Sequence, residues 1–86
     1  GKIINIHPSL LPKYKGLNTH RRAIENMETI SGCTVHYVNE NLDDGEIVLQ
    51  REVKIDTSDT EHTLAGKILK EEHLIYPEAI KLVLKK

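Results

Sequence analysis

At 86 residues, with 12 Lys and Arg against 13 Asp and Glu, the chain is long enough for one small domain and too evenly charged for a basic nucleic-acid footprint. A single cysteine, Cys33, excludes an internal disulfide and a cysteine-based zinc centre, and it fits a reducing cytoplasm. No apolar run approaches the roughly 18 residues of a membrane-spanning helix, and the five histidines lack helical metal-pair spacing, so neither a membrane nor a metal is expected. With no Trp, no Phe and three Tyr, the core has to come from Ile, Leu and Val. The chain opens Gly1-Lys2 and enters an apolar run almost at once, with no signal-peptide layout, as expected of a piece of something longer.

The stretch from Lys2 to Ile6 is predicted as a strand. Ile3, Ile4 and Ile6 ignore strict alternation, the pattern of a parallel strand buried on both faces. Pro8 and Pro12 cannot continue it, so it ends near His7 or Pro8. A loop follows to Leu17, pinned by Leu10 and Leu11, with Lys13-Tyr14-Lys15 read as a solvated tip or a contact for an anion. Asn18 or Thr19 would cap a short helix from His20 to Met27 with Ala23, Ile24 and Met27 as its apolar stripe. Gly32 to Asn39 and Glu46 to Ile55 read as an antiparallel hairpin around the turn-rich Asn39-Glu40-Asn41-Leu42-Asp43-Asp44-Gly45. Ser58-Asp59-Thr60-Glu61 has the form of a capping box, Ser with Glu three residues on. It opens an amphipathic helix through Leu64, Ile68, Leu69, Glu72, Ile75 and Tyr76 that Pro77 should kink or divide.

Side chains two apart on a strand share a face, so Asn5 and His7 sit together where the first strand stops. An amide can donate to an oxygen, and an imidazole can carry a proton near neutral pH. The same pattern also fits a strand end with two ordinary polar residues. If the first strand neighbours the hairpin, Asp43 in its loop could hold the imidazole, and the three groups would suit acyl transfer to an amine. Cys33, in mid-strand with no basic neighbour, reads as a structural thiol.

The run Asn5-Ile6-His7-Pro8-Ser9-Leu10-Leu11-Pro12-Lys13-Tyr14-Lys15-Gly16-Leu17 resembles the signature of the folate-dependent formyltransferases. The likeness continues through Thr19-His20-Arg21-Arg22-Ala23, Gly32-Cys33-Thr34-Val35-His36-Tyr37-Val38, Leu42-Asp43-Asp44-Gly45, Ile47-Val48-Leu49-Gln50 and Glu72-His73-Leu74-Ile75-Tyr76-Pro77. It is most similar to the branch of that family that serves purine synthesis.

The resemblance implies an α/β, Rossmann-like formyltransferase fragment with a buried strand, an antiparallel hairpin and a long C-terminal helix. It implies formyl transfer from 10-formyltetrahydrofolate to the amine of glycinamide ribonucleotide. Asn5, His7 and Asp43 match the catalytic trio: Asn5 on the formyl oxygen, His7 as general acid or charged stabiliser, Asp43 orienting His7. Asn5 with Asn39, Glu40, Asn41, Leu42 and Asp43 matches the folate site, and Leu69, Lys70, Glu71 and Glu72 match the region that meets the ribonucleotide. His36 falls beside the site as a core or supporting histidine.

Two departures stand out. Asp44 and Glu46 replace the Gly and Pro usual in the family, and the family's N-terminal half, with its Gly-rich phosphate loop, is missing. The chain is thus expected to be the C-terminal portion of a single domain, partnered by that half and inactive without it. Sister enzymes that formylate methionyl-tRNA or deformylate the folate, and a non-catalytic module, are the alternatives.

Overall fold

The computed structural model describes residues 3–39 and 45–85. Strand β1 (Ile4–His7) is followed by helix α1 (Thr19–Glu25), strand β2 (Ile30–Tyr37), strand β3 (Ile47–Lys54) and helix α2 (Glu61–Leu84). The strands form one sheet in the order β1-β2-β3, antiparallel throughout. The predicted α/β class and the predicted hairpin are both present.

Residues directly opposite one another in an antiparallel pair share a face. Ile4 opposes Tyr37 and Ile6 opposes Val35; Asn5 opposes His36 and His7 opposes Thr34. The first set faces α2. There Cys33, Val35, Val53 and Ile55 meet Leu64, Ile68, Ile75 and Ala79, with Ala23 of α1 closing the end. At about 1.5–3 kcal/mol per large buried aliphatic side chain, this layer is the main source of stability.

Several expectations are corrected. β1 is half-buried rather than buried on both faces, and Ile3 is 69% exposed. Its described partner, β2, is antiparallel, and among the described residues no strand pairs with its other edge. The broken alternation therefore reflects Ile4 and Ile6 packing toward α2, with Ile3 lying beyond the strand. Helix α1 stops at Glu25, because Met27 takes a left-handed backbone (φ 52°) that cannot continue a helix, and Met27 is 86% exposed instead of joining the stripe. Asn18 is the N-cap residue but sits at φ 57° and makes no side-chain capping bond.

The capping box on α2 lies two residues later than expected, on Thr60 and Thr63 rather than Ser58 and Glu61. Thr60 Oγ1 accepts from the Thr63 amide at 3.2 Å, and Thr63 Oγ1 accepts from the Thr60 amide at 2.8 Å. Glu61 is instead the first helical residue, where its charge suits the helix dipole. Pro77 does not divide the helix, which runs unbroken for 24 residues. An interior proline costs about 3 kcal/mol, and the complete burial of Ile75 and Ala79 on either side of it offsets that by holding both halves on the sheet.

The other face of the sheet carries the loop after β1. Leu11 is buried, as expected, and Leu10 lies over Gly32, where any β-carbon would stand 2.8 Å from a Leu10 methyl and inside contact with the Arg51 carbonyl. Lys13 and Lys15 are exposed, but Tyr14 packs against the core, so the segment is not simply a solvated tip.

Candidate active site

The site is built where β1 ends. Asn5 is exposed and His7 is buried, two positions apart on the face turned away from α2. The backbone beyond His7 is fixed by one hydroxyl. Thr34 Oγ1, fully buried, donates to the Ser9 carbonyl at 2.7 Å and accepts from the Leu11 amide at 3.1 Å and from Gln50 Nε2 at 2.9 Å. Gln50 Nε2 also donates to the Leu11 carbonyl at 2.9 Å. Thr34 and Gln50 oppose each other on β2 and β3, so His7, Thr34 and Gln50 form a polar row across three strands. Ser9 Oγ turns inward and donates to the Lys13 carbonyl at 2.7 Å.

His7 Nε2 lies 2.9 Å from the carbonyl oxygen of Tyr14. A carbonyl only accepts, so that nitrogen carries a proton.

Beside β1 opens a cleft of 470 Å³ lined by Asn5, Ile6, Leu69, Glu72, His73, Tyr76 and Pro77. On a helix of 3.6 residues per turn, positions 69, 72, 73 and 76 share one face. The same geometry sends Lys70 and Glu71 elsewhere: they line a separate groove with Glu52, Lys54 and Lys67. Of the four helix residues expected at the substrate, Leu69 and Glu72 thus lie with Asn5 and the other two do not. The carboxyl of Glu72 is raised above its ordinary range by burial, an effect that the positive charges of His73 and His7 oppose.

His36 is buried directly opposite Asn5, and its Nδ1 is 3.1 Å from the Tyr37 carbonyl, to which it donates. Asn39 is exposed just past β2. The hairpin neck is tight: the Tyr37 amide donates to the Glu46 carbonyl at 2.9 Å, and a β-carbon on Gly45 would collide with the Tyr37 carbonyl. Glu40, Asn41, Leu42 and Asp43, expected at the folate site and, for Asp43, in the catalytic trio, lie outside the described residues. Cys33 is fully buried and its thiol is pushed up to about 11, chiefly by burial, so it is no nucleophile.

Sequence reasoning missed Ser9, Thr34, Gln50, His73 and Tyr76. The last two were within reach of helical spacing counted from Leu69. The first three were not, because nothing local ties a loop to strands 25 and 39 positions away.

Among the described residues no three His, Cys, Asp or Glu side chains gather as a metal site, and no helix is long and apolar enough to cross a membrane.

The family described as formyl transferase matches residues 1–80, and the chain belongs to it. The phosphoribosylglycinamide formyltransferase of Haemophilus influenzae is 53% identical over 81 residues, which are 94% of this chain and 38% of that protein. The trifunctional purine biosynthetic protein adenosine-3 of Homo sapiens is 49% identical over 83 residues, 96% of this chain and 8% of that protein. The crystal structure of phosphoribosylglycinamide formyltransferase from Anaplasma phagocytophilum superposes with a TM-score of 0.92 at 48% identity, over 95% of this chain and 40% of that one. The chain therefore spans well under half the length of these relatives.

Proposed function

We propose that this chain supplies the catalytic centre for transfer of a formyl group from 10-formyltetrahydrofolate to the amine of glycinamide ribonucleotide, a step of purine synthesis. The observation that carries the reading is the placement of Asn5 and His7 on one face at the end of β1, next to a cleft walled by Leu69 and Glu72. Its volume falls within the range of small-ligand sites, and Asn5 and Glu72 line it beside Ile6, Leu69 and Pro77. The similarity to phosphoribosylglycinamide formyltransferases supplies the substrate.

In the reaction the amine nitrogen attacks the formyl carbon, a new C–N bond forms, and the bond from that carbon to the folate nitrogen breaks. Negative charge gathers on the formyl oxygen, and the Asn5 amide is the group to donate to it. The amine must lose a proton and the folate nitrogen must gain one. His7 is the group to carry it, exchanging at Nδ1 while Nε2 stays bonded to Tyr14. Asp43 is proposed to orient the charged imidazole by electrostatic attraction, without occupying the nitrogen that exchanges the proton. Asn39, Glu40, Asn41 and Leu42 are proposed beside it at the folate, and Glu72 and Leu69 at the ribonucleotide.

The chain works joined to an N-terminal half. In support, its relatives are more than twice as long, and Ile3, Leu69, Leu74 and Leu84 are exposed around the outer edge of β1 and along α2. A cytoplasmic setting accords with the buried, protonated Cys33.

The test is a fusion placing the N-terminal half of the Haemophilus influenzae relative ahead of this chain, assayed with 10-formyltetrahydrofolate and three acceptors. Formylation of glycinamide ribonucleotide, without formylation of methionyl-tRNA or release of formate to water, is expected. Preference for either of the other acceptors would assign the chain to a sister enzyme.

A further inference from the structure

We propose that Tyr14 is a positioning residue for His7: its anchored side chain holds its own backbone carbonyl where that oxygen fixes the tautomer and tilt of the imidazole. The importance of this for turnover rests on the catalytic reading of His7 given above; the structural part does not.

Tyr14 has φ 56°, a left-handed backbone that a bulky side chain rarely adopts. Such a conformation persists where its surroundings impose it, and these cluster at functional sites. Here the surroundings are specific. The phenol donates to Glu28 Oε2 at 2.6 Å, and Lys13 Nζ donates to the same carboxylate oxygen at 3.1 Å. The bond raises the Tyr14 phenol above its ordinary range and lowers the Glu28 carboxyl, so Glu28 is charged and the phenol is a neutral donor. The Arg22 guanidinium sits 5.1 Å over the Tyr14 ring. Its Nη1 donates to the carbonyls of Lys15 at 2.7 Å and Leu17 at 2.9 Å, closing the loop on the far side of Tyr14.

None of these groups is among the residues proposed above for the chemistry. What they hold in place is the Tyr14 carbonyl, which accepts from His7 Nε2 at 2.9 Å and from Ser9 Oγ at 3.3 Å. Thr34 and Gln50 already fix the loop as far as Leu11, so this second clamp acts on the residues beyond Pro12, where the contact to His7 lies. A neutral imidazole can carry its proton on either nitrogen, and the hydrogen bond made by one nitrogen decides the state of the other. A rigid carbonyl at Nε2 therefore dedicates Nδ1 to proton exchange. A mobile one would weaken that constraint on the tautomer and tilt of the ring.

The test uses the fusion protein with 15N-labelled histidine. At a pH where His7 is neutral, its ring is expected in the Nε2–H form. Tyr14→Phe keeps the ring but loses the bond to Glu28, and Glu28→Gln weakens the same bond from the other side. Each is expected to raise the Nδ1–H population and to lower kcat about three- to tenfold, the effect of one lost hydrogen bond, with KM within about twofold. The double variant should be little worse than either single one, since both break one contact. The proposal is overturned if wild-type His7 carries its proton on Nδ1, or if Tyr14→Phe leaves both the 15N shifts and kcat unchanged. Retained formyl transfer in His7→Ala would overturn the catalytic reading instead, and the tautomer measurement would stand apart from it.

Discussion

On one face of the sheet, α2 lays Leu64, Ile68, Ile75 and Ala79 against Cys33, Val35 and Val53. On the other, the loop after β1 is tied down by the hydroxyls of Ser9 and Thr34 and the amide of Gln50. Apolar burial is strong but has no direction, so it stabilises the layer without setting any one side chain to within a few tenths of an ångström. Hydrogen bonds contribute less net free energy but depend on distance and angle. Asn5 and His7, both proposed for catalysis, lie on the second face. The molecule draws stability from one side of its sheet and placement from the other.

That contrast can be broken by substitution. Ile68→Ala should be the most damaging, by about 2–5 kcal/mol, since the side chain is fully buried and its neighbours on the sheet cannot follow it. Urea unfolding would show it as a lowered midpoint. Thr34→Val keeps the shape but strands the Leu11 amide and the Ser9 carbonyl. It should cost about 1–3 kcal/mol, while Thr34→Ser stays close to wild type. If the two faces differ as described, Thr34→Val depresses turnover of the fusion protein out of proportion to its effect on stability, and Ile68→Ala does the reverse. Thr60→Ala removes the acceptor of the α2 capping box, at about 1 kcal/mol, and should leave the kinetics alone.

The smallest expected effect is one of pH. Lys67, with the Asp56 amide and the Thr63 hydroxyl, lowers the Asp59 carboxyl from its ordinary 3.8 to about 2. A folded-state value below the unfolded one means stabilisation that is complete above about pH 4 and is lost as the pH falls toward about 2. Unfolding midpoints measured across that window should converge between wild type and Asp59→Asn, and should differ above it.

Local pattern made much of the fold legible. The β1 stop came from Pro8, the hairpin from its two β-rich runs around a turn, and α2 from its three- and four-residue spacing. What escaped was decided by backbone conformations and distant partners. The end of α1 depends on Met27 turning left-handed, and the α2 cap depends on Thr63 rather than Glu61 reaching back to the preceding turn. Asn5 and His7 were found from a strand period of two and a family resemblance, whereas their support was invisible: Thr34 reads as one more β-branched strand residue, and Tyr14 as a loop tip. Lys70 and Glu71 were implied together with Leu69 and Glu72 by the family resemblance, and the helix turns them away from the cleft. Asp43 lies outside the described residues, so its place in the trio stands on the resemblance and on the proposal.

The most direct test is the rate of formyl transfer to glycinamide ribonucleotide by the fusion protein carrying His7→Ala, with its unfolding midpoint measured alongside. The account predicts a fall in kcat of at least about a hundredfold, the usual scale for a lost general acid, with the fold intact. Transfer within about twofold of wild type, less than the loss of a single hydrogen bond usually costs, would contradict it.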